Sequence, residues 1–354
     1  MTLGTEPPVP DSSLYRAVEH LTDGWIRMLR LTAKRRPEVD AVDRRILVRV
    51  EASALEADGV LSLDLVPAHP ERRPRLPAWE AGAHVDVVLP SGLLRQYSLT
   101  GDTADRSRYR IAVRRIPDGD GGSSEVHGLK IGDELVLKGP RNAFPFIAAP
   151  SYLFVAGGIG ITPILPMVRL SVAHGDDWRF VYAGRDRASM AFLAEVEALA
   201  VTFPDRVEIW PDDERGVPDP RAIVARAPAG AALYCCGPPA MIDALRAEVP
   251  ADNVEALHSE RFSAPPVVGG EPFTVELART GETFEVAGDQ TLLAALLEVR
   301  PATAYSCRQG FCGTCPVQVV SGEVQHRDRF GAEQRENQLA ACVSRARGTL
   351  TLDL

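Results

Sequence analysis

The stretch Ser306-Cys-Arg-Gln-Gly-Phe-Cys-Gly-Thr-Cys315 decides how the C-terminal part of this chain folds. It holds three cysteines, and Cys342 follows after 26 further residues. The spacing Cys-x4-Cys-x2-Cys with a distant fourth cysteine is typical of a two-iron, two-sulfur (2Fe-2S) cluster site. Glycines in the loop let its backbone approach such a cluster closely. The spacing therefore predicts four metal ligands, which are Cys307, Cys312, Cys315 and Cys342.

Two other uses of these cysteines are a zinc site and free buried thiols. Zinc sites usually add a second Cys-x2-Cys pair or a pair of histidines. No histidine lies within five residues of any of the four cysteines. A Rieske centre would need two histidines in place of two cysteines, and the pattern offers none. The cluster interpretation is favoured, with a structural metal site as the alternative.

Upstream of this region, residues 149–262 alternate short apolar strands with helical segments, a rhythm that predicts a parallel sheet. The turn Ala156-Gly-Gly-Ile-Gly-Ile-Thr-Pro163 lies between a strand and a helix. Its glycines would let a pyrophosphate approach the start of the helix. We expect Thr162 to be the N-cap of this helix and Pro163 its first residue.

A second strand–helix junction in this region is Cys235-Cys-Gly-Pro-Pro-Ala-Met241. Ligands of parallel sheets bind beyond the carboxyl ends of the strands. Cys236 is the cysteine nearer the strand end, where it could face a ligand, while Cys235 is expected to be buried. The alternative is that both are ordinary core thiols.

Residues 43–148 carry many short alternating strands separated by Pro, Gly and Asp, which predicts an antiparallel β-barrel. Within it lies Arg95-Gln-Tyr-Ser-Leu99, where the arginine could pair with a phosphate and the tyrosine could flank a flavin ring. The later segment 119–124, Gly-Asp-Gly-Gly-Ser-Ser, could form a backbone nest for that phosphate. The first motif could also be a plain strand with one exposed arginine.

The composition sets outer limits on function. The chain has 354 residues, which predicts two or three domains at about 150 residues each. Its formal net charge of −9 argues against nucleic acid as the main partner, because phosphate binding needs a basic surface. It has no run of about 18 apolar residues, and its start, MTLGTEPPVPD, is not a secretory signal. We expect no membrane partner and a cytoplasmic location.

Taken together, these motifs resemble the phthalate dioxygenase reductase family, within the ferredoxin–NADP reductase superfamily. The resemblance extends from about residue 43 to the C-terminus. It includes RYRIAVRR (108–115), GPRNAFPF (139–146), YCCGP (234–238), SGEVQHRD (321–328) and CVSRA (342–346). It implies a multidomain protein with an antiparallel β-barrel that binds FMN, an α/β domain with a parallel sheet that binds NADH, and an α+β (β-grasp) plant-type ferredoxin domain that holds the cluster.

The domain boundaries follow from this order. We predict an N-terminal helical extension over residues 1–42, which either packs on the body or docks a partner. The FMN-binding barrel covers 43–148, and the NAD-binding domain covers 149–262. A Pro- and Gly-rich linker follows over 263–270, and the 2Fe-2S ferredoxin domain covers 271–354.

The resemblance also implies site residues. Ser98 and Cys236 would lie where flavin and nicotinamide meet, and they are the predicted catalytic residues. The predicted flavin contacts are Arg95, Tyr97, Ser98, Ala112, Val113, Arg114, Gly121, Gly122, Ser123 and Phe262. The predicted nucleotide contacts are Gly157, Gly158, Gly160, Thr162, Asp186, Cys236, Gly237 and Pro238.

Three details of the sequence bear on which flavin and which nicotinamide nucleotide the chain binds. FMN is favoured over FAD because the Gly-Gly-Ser loop follows the barrel strand directly and would end the ligand at its phosphate. Asp120 stands where the family often has arginine, and a carboxylate beside a phosphate is unfavourable. Asp186 would bind a ribose diol and repel a 2′-phosphate, whereas Arg185 and Arg187 would attract one. The resemblance favours NADH.

The implied function is that of an enzyme, an NADH-dependent oxidoreductase that passes electrons through FMN and the cluster to a partner oxygenase. Hydride carries two electrons and the cluster takes one, so the flavin must lie between them. The partner would be a Rieske-type ring-hydroxylating or demethylating oxygenase, or a haem monooxygenase. The loop residues 308–311 would line the path to this acceptor. The alternatives are a stand-alone NADH-dependent flavin or ferric reductase and a non-enzymatic redox or metal-binding protein.

Overall fold

The structure is a computed structural model. It describes residues 45–354 except 118, 120, 250–252, 263–266, 306–307, 311–312 and 329. The predicted helical extension over residues 1–42 therefore lies outside the described residues. So do Asp120, Cys307, Cys312 and the first half of the predicted linker.

The first sheet is antiparallel and has the strand order β4-β3-β6-β1-β2-β5. A bridge between Leu99 and Ile111 joins its two end strands, so the sheet closes and the predicted β-barrel is confirmed. In β1 the alternating residues Ile46, Val48 and Val50 point into the barrel core. The elements are β1 (Ile46–Ala57), β2 (Val60–Pro67), β3 (Ala83–Val88), β4 (Leu94–Ser98), β5 (Tyr109–Arg114), α1 (Gly122–His127) and β6 (Glu134–Asn142).

The second sheet is parallel, as predicted, with the order β11-β10-β7-β8-β9. Its central strand β7 is buried at every position, because a parallel strand is covered on both faces. The elements are β7 (Ser151–Gly157), α2 (Ile161–His174), β8 (Asp177–Gly184), α3 (Leu193–Thr202), β9 (Val207–Pro211), α4 (Asp212–Arg215), α5 (Pro220–Val224), β10 (Ala231–Cys236), α6 (Pro239–Glu248) and β11 (Val254–Glu260). Short 3₁₀ turns at Gly158–Gly160 and Arg187–Ser189 precede α2 and α3.

The third sheet has the order β13-β12-β16-β14-β15, with β12 and β16 parallel and its other pairs antiparallel. Helix α7 packs Leu292 and Leu296 into its core, and the Thr291 side chain caps that helix by accepting from the Ala294 N–H. The elements are β12 (Phe273–Leu277), β13 (Thr283–Val286), α7 (Leu292–Val299), β14 (Pro316–Gln325), α8 (Ala332–Arg335), β15 (Gln338–Ala340) and β16 (Arg345–Leu352). The predicted α+β domain is confirmed.

Within the part of the chain that the structure describes, no helix combines the length and apolarity that crossing a bilayer requires.

Candidate functional site

The predicted flavin residues lie on the two strands that close the barrel. Arg95, Tyr97 and Ser98 belong to β4, and residues 112–114 belong to β5. The Leu99–Ile111 bridge and a hydrogen bond from Thr100 N to Arg110 O (2.9 Å) hold these strand ends together. The seam of the barrel therefore brings together residues that are distant in sequence.

Arg95 forms a cradle with the start of α1. A Cβ atom built on Gly122 would lie 2.5 Å from Arg95 Nε, so glycine here leaves room for the Arg95 side chain beside the backbone. Gly121 has a φ of 78°, a conformation that glycine adopts without strain. A guanidinium beside the backbone at the start of a helix fits a phosphate in charge and hydrogen bonding. The Ser123 hydroxyl instead accepts from Ile116 N (3.0 Å), so it stabilises the preceding loop.

The remaining flavin residues differ in accessibility. Burial raises the pKa of Tyr97 to about 12, so its phenol is neutral and can donate a hydrogen bond. Ser98, Ala112 and Val113 are at most 6% exposed, and the Val113 carbonyl accepts from His127 Nε2 (2.8 Å). Arg114 is exposed at the end of β5. The buried residues can offer mainly backbone groups and the Ser98 hydroxyl at the seam.

The glycine turn is packed against the second junction. A Cβ on Gly160 would lie 2.2 Å from Cys236 O, and one on Gly157 would lie 2.7 Å from the Pro238 ring. A Cβ on Gly237 would lie 3.0 Å from Gly157 Cα. At Gly160 the close atoms belong to the backbone at the end of β10, whereas at Gly157 they belong to the side chains of Pro238 and Met241. Among glycines 157, 158, 160 and 237, only Gly158 faces open space. Its φ is 52°, and no atom lies within 4 Å of its Cβ position.

The expectation for the helix start was wrong. Helix α2 begins at Ile161 with Gly160 as its N-cap, so Thr162 and Pro163 are its second and third residues. The 3₁₀ turn of residues 158–160 runs directly into α2 and leaves no extended residue for a side-chain cap. Thr162 is 2% exposed, and its hydroxyl donates to Ile159 O (3.1 Å).

Cys236 is the last residue of β10 and is fully buried, as is Cys235. Burial raises the pKa of the Cys236 thiol well above its ordinary value, so the thiol stays protonated. The two cysteines therefore share the same burial, and the expected difference between them is absent. A contact between Cys236 and a nicotinamide stays a prediction.

A carboxyl group that sequence reasoning did not single out lies beside this thiol. Glu260 ends β11 and pairs in register with Cys236. Its Oε2 is buried and has no hydrogen-bond partner among the described residues, and burial raises its pKa to about 8. A carboxyl group that is largely protonated at neutral pH can hold a proton here. Its only sequence signal is its place in the segment 258–262, since strand register cannot be read from sequence.

The end of β8 favours a diol over a phosphate. The Asp186 carboxylate accepts from Ser189 N (2.8 Å) and Arg185 Nε (2.9 Å), and these hydrogen bonds lower its pKa. Arg187 is paired with Glu214 (2.7 Å) and Glu197 (3.0 Å). Both arginines thus have carboxylate partners, which weakens any attraction for a 2′-phosphate and fits NADH.

Two of the four predicted cluster ligands are described, and they lie together. Cys315 precedes β14 and Cys342 follows β15, and these strands pair with each other. Ala341 N donates to Cys315 O (3.1 Å), and both thiols are buried. Gly313 has a φ of 68° and no atom within 4 Å of its Cβ position, so its backbone can approach a cluster. Cysteine thiolates are the ligands of such clusters, so these residues fit one.

A buried acid that the sequence motifs did not single out supports this loop. Asp328 accepts from Ser344 Oγ (2.7 Å), Arg335 Nε (3.0 Å) and Phe330 N (3.1 Å). Its Cα lies 3.2 Å from the Cβ position of Gly310 in the cluster loop. The family segment 321–328 contains it, but its burial cannot be seen in the sequence.

One hydrogen bond locates part of the cluster loop. Gln309 Nε2 donates to Arg261 O (3.0 Å), directly after β11. The Gln309 side chain therefore contacts the end of the nucleotide sheet. The path through residues 308–311 to an outside acceptor stays a prediction. Phe262, the predicted flavin contact beside Arg261, is 51% exposed.

Two family models match this chain. The oxidoreductase NAD-binding domain matches residues 154–247, and the 2Fe-2S iron-sulfur cluster binding domain matches residues 275–347. Phenoxybenzoate dioxygenase subunit beta of Ectopseudomonas oleovorans is 40% identical over 87% of this chain and 97% of its own length. The haem-dependent oxidative N-demethylase beta subunit of Ectopseudomonas mendocina is 38% identical over 79% of this chain and 90% of its own.

One further relative and one solved structure carry the name of the family. Phthalate dioxygenase reductase of Burkholderia cepacia is 36% identical over 79% of this chain and 89% of its own length. A crystal structure of phthalate dioxygenase reductase is 34% identical, with a TM-score of 0.69, and covers 88% of this chain and 98% of that one. An intact type IV self-sufficient cytochrome P450 monooxygenase is 36% identical, with a TM-score of 0.68, over 92% of this chain and 44% of that one. The chain belongs to the phthalate dioxygenase reductase family of NADH-dependent oxidoreductases, which use FMN and a 2Fe-2S cluster.

Proposed function

We propose that this protein is the reductase component of an oxygenase system and transfers electrons from NADH through FMN and its cluster to a separate oxygenase. The observation that carries the proposal is the presence of three sheets in one chain, whose described residues fit a flavin phosphate, a dinucleotide and, at Cys315 and Cys342, a cluster. The bound groups supply the chemistry, since flavin accepts two electrons as hydride and the cluster takes one at a time.

The chain's own residues position these groups. Arg95 and the backbone at Gly122 hold the phosphate, and the barrel seam presents the Ser98 hydroxyl to the ring. The packed glycines 157 and 160 hold the strand ends in one arrangement, while Gly158 leaves room for the nucleotide. The protonated Cys236 thiol and the Glu260 carboxyl keep the strand ends neutral, so no fixed negative charge opposes hydride arrival. We also propose the remaining flavin and nucleotide contacts, the catalytic roles of Ser98 and Cys236, and the domain boundaries, all as predicted from the sequence.

For the partner we propose a Rieske-type oxygenase. The relatives named for phenoxybenzoate and phthalate dioxygenases support an oxygenase acceptor. A haem monooxygenase is the second candidate, because one solved relative joins such a reductase to a cytochrome P450 in a single chain and another relative serves a haem-dependent demethylase. The same proposal places the protein in the cytoplasm, where NADH is available and thiols stay reduced.

The partner is tested with the tagged holoprotein, an extract of its host and NADH under anaerobic conditions. We expect the co-purifying acceptor to show the electron paramagnetic resonance (EPR) spectrum of a reduced Rieske cluster, and only when NADH is added. A haem Soret shift in place of that spectrum would support the second candidate. Reduction of flavins or ferric chelates at full rate after loss of the cluster, with no protein acceptor, would favour a stand-alone reductase.

A further inference from the structure

The hydrogen bond between Gln309 and Arg261 joins two sheets that the chain connects through its linker. Gln309 lies in the loop between the first and second cluster cysteines, and its side-chain amide donates to the Arg261 carbonyl over 3.0 Å. Arg261 follows Glu260, which lies beside Cys236 at the end of the nucleotide sheet. The contact therefore connects the cluster loop with the strand end at the predicted flavin–nicotinamide junction.

On the nucleotide side, the backbone that accepts this hydrogen bond is fixed to α6. The Arg261 side chain is 13% exposed and forms an ion pair with Asp243. Asp243 also pairs with Arg246 (3.1 Å), which in turn donates to Ser259 Oγ (3.0 Å). Two arginines and one carboxylate thus fasten residues 259–261 to the helix.

On the cluster side, the residues flanking Gln309 contact Tyr305 and Val343, which pack against the core of the third sheet. A Cβ on Gly310 would lie 2.5 Å from Val343 Cγ2, so this backbone is packed closely beside the Cys342 region. The Arg308 guanidinium lies 4.6 Å from the centre of the Tyr305 ring. The Gln309 hydrogen bond therefore links two segments that are each held by contacts of their own.

We propose that Gln309 is a positioning residue that holds the cluster loop against the end of β11 and so sets the rate of electron transfer from flavin to cluster. This inference rests on the proposed function. The flavin reduced by hydride holds two electrons and one proton. It passes the electrons one at a time, each converting one ferric ion of the cluster to ferrous. The partner acceptor reoxidises the cluster between the two transfers, and the single proton passes to solvent. Electron-transfer rates fall steeply with distance, so loss of this contact slows that step and leaves hydride transfer from NADH unchanged.

The test uses Gln309→Ala and Gln309→Leu, the second of which keeps the bulk of the side chain without its donor. Gln334→Ala is the matched control, since it removes the amide of an exposed glutamine in α8. Anaerobic stopped-flow mixing with NADH resolves flavin bleaching from cluster bleaching. We expect both Gln309 variants to slow cluster bleaching about fivefold, the factor that one hydrogen bond contributes to an equilibrium. Flavin bleaching and ferricyanide reduction directly from the flavin stay at the wild-type rate.

A second variant leaves the cluster loop intact. Asp243→Ala releases the Arg261 side chain from α6, and we expect a smaller slowing of cluster bleaching with full cluster content. Amide hydrogen exchange, measured on the same proteins in the absence of NADH, reports whether the contact between the cluster loop and the end of β11 is intact. Peptides covering residues 258–262 exchange faster in Gln309→Ala and Asp243→Ala than in Gln334→Ala.

Three results would overturn the inference. The first is cluster bleaching at the wild-type rate in both Gln309 variants. The second is equal slowing in Gln334→Ala. The third is slowing in only those Gln309 variants whose EPR spectrum shows that the cluster has been lost, together with a wild-type rate in Asp243→Ala. Failure of the proposed function looks different, because wild-type protein would then show no bleaching of flavin or cluster by NADH.

Discussion

At the scale of single residues, Asp328 shows how a buried charge supports the cluster loop. Its side chain has no exposed area. Burial by itself raises the pKa of this carboxyl, but hydrogen bonds from Ser344 and Arg335 outweigh that effect and lower it to about 2. We expect Asp328→Asn to lower the free energy of unfolding at pH 7 by about 2 kcal/mol, typical for hydrogen bonds to a charged group. Urea unfolding followed by circular dichroism measures it.

The pH dependence of this effect has a defined sign. The folded-state pKa lies below the ordinary value of 3.8, so the ionised carboxylate stabilises the fold above that value. The stabilisation is lost as pH falls from there toward about 2, and the wild type and Asp328→Asn converge. Asp353→Asn is the control, because Asp353 pairs with Arg279 on the surface and such pairs contribute at most about 1 kcal/mol. Equal losses in both variants at pH 7 would contradict this account.

At the scale of elements, the close packing of β7 against β10 explains the glycine turn. Gly160→Ala would place a Cβ 2.2 Å from Cys236 O, so the two strand ends must separate. We expect the KM for NADH to rise at least about tenfold, since small displacements in a binding site are costly. Steady-state kinetics with ferricyanide as acceptor measures this.

Gly175→Ala is the matched control for that substitution. Gly175 ends α2 with a φ of 75° and open space around its Cβ position. We expect it to cost about 1 kcal/mol of stability through backbone strain and to leave the KM for NADH unchanged. If both variants had the same KM, close packing of the turn would not explain its glycines.

Sequence periodicity predicted most of these elements but not their ends. The alternation in β1 and the apolar run of β7 are local patterns, and each strand lies in the kind of sheet that was predicted for its region. Thr162 has the chemistry of an N-cap, yet the helical turn before it moves the cap to Gly160. Tertiary packing of the turn against Cys236, absent from any local pattern, decides this end.

At the scale of the whole molecule, the sequence predicted the three sheets and their order along the chain. It also predicted Arg95 and Gly122 as flavin contacts, because an arginine and a glycine-rich turn are short motifs that can be seen in the sequence. It could not predict that Glu260 lies beside Cys236 or that Gln309 contacts Arg261, since both depend on strand register and on how the sheets meet. The domain boundaries and the contacts of individual cofactor atoms stay predictions.

The central claim is that one chain carries electrons from NADH through a flavin to a four-cysteine cluster. Anaerobic titration of the holoprotein with NADH, followed by visible absorption and EPR, tests it most directly. The flavin and cluster absorption bands should bleach together, with an endpoint at about 1.5 equivalents of NADH. The flavin takes two electrons and the cluster one, and each NADH supplies two. A protein that binds zinc without any visible chromophore, or whose cluster is not reduced by NADH, would contradict the account.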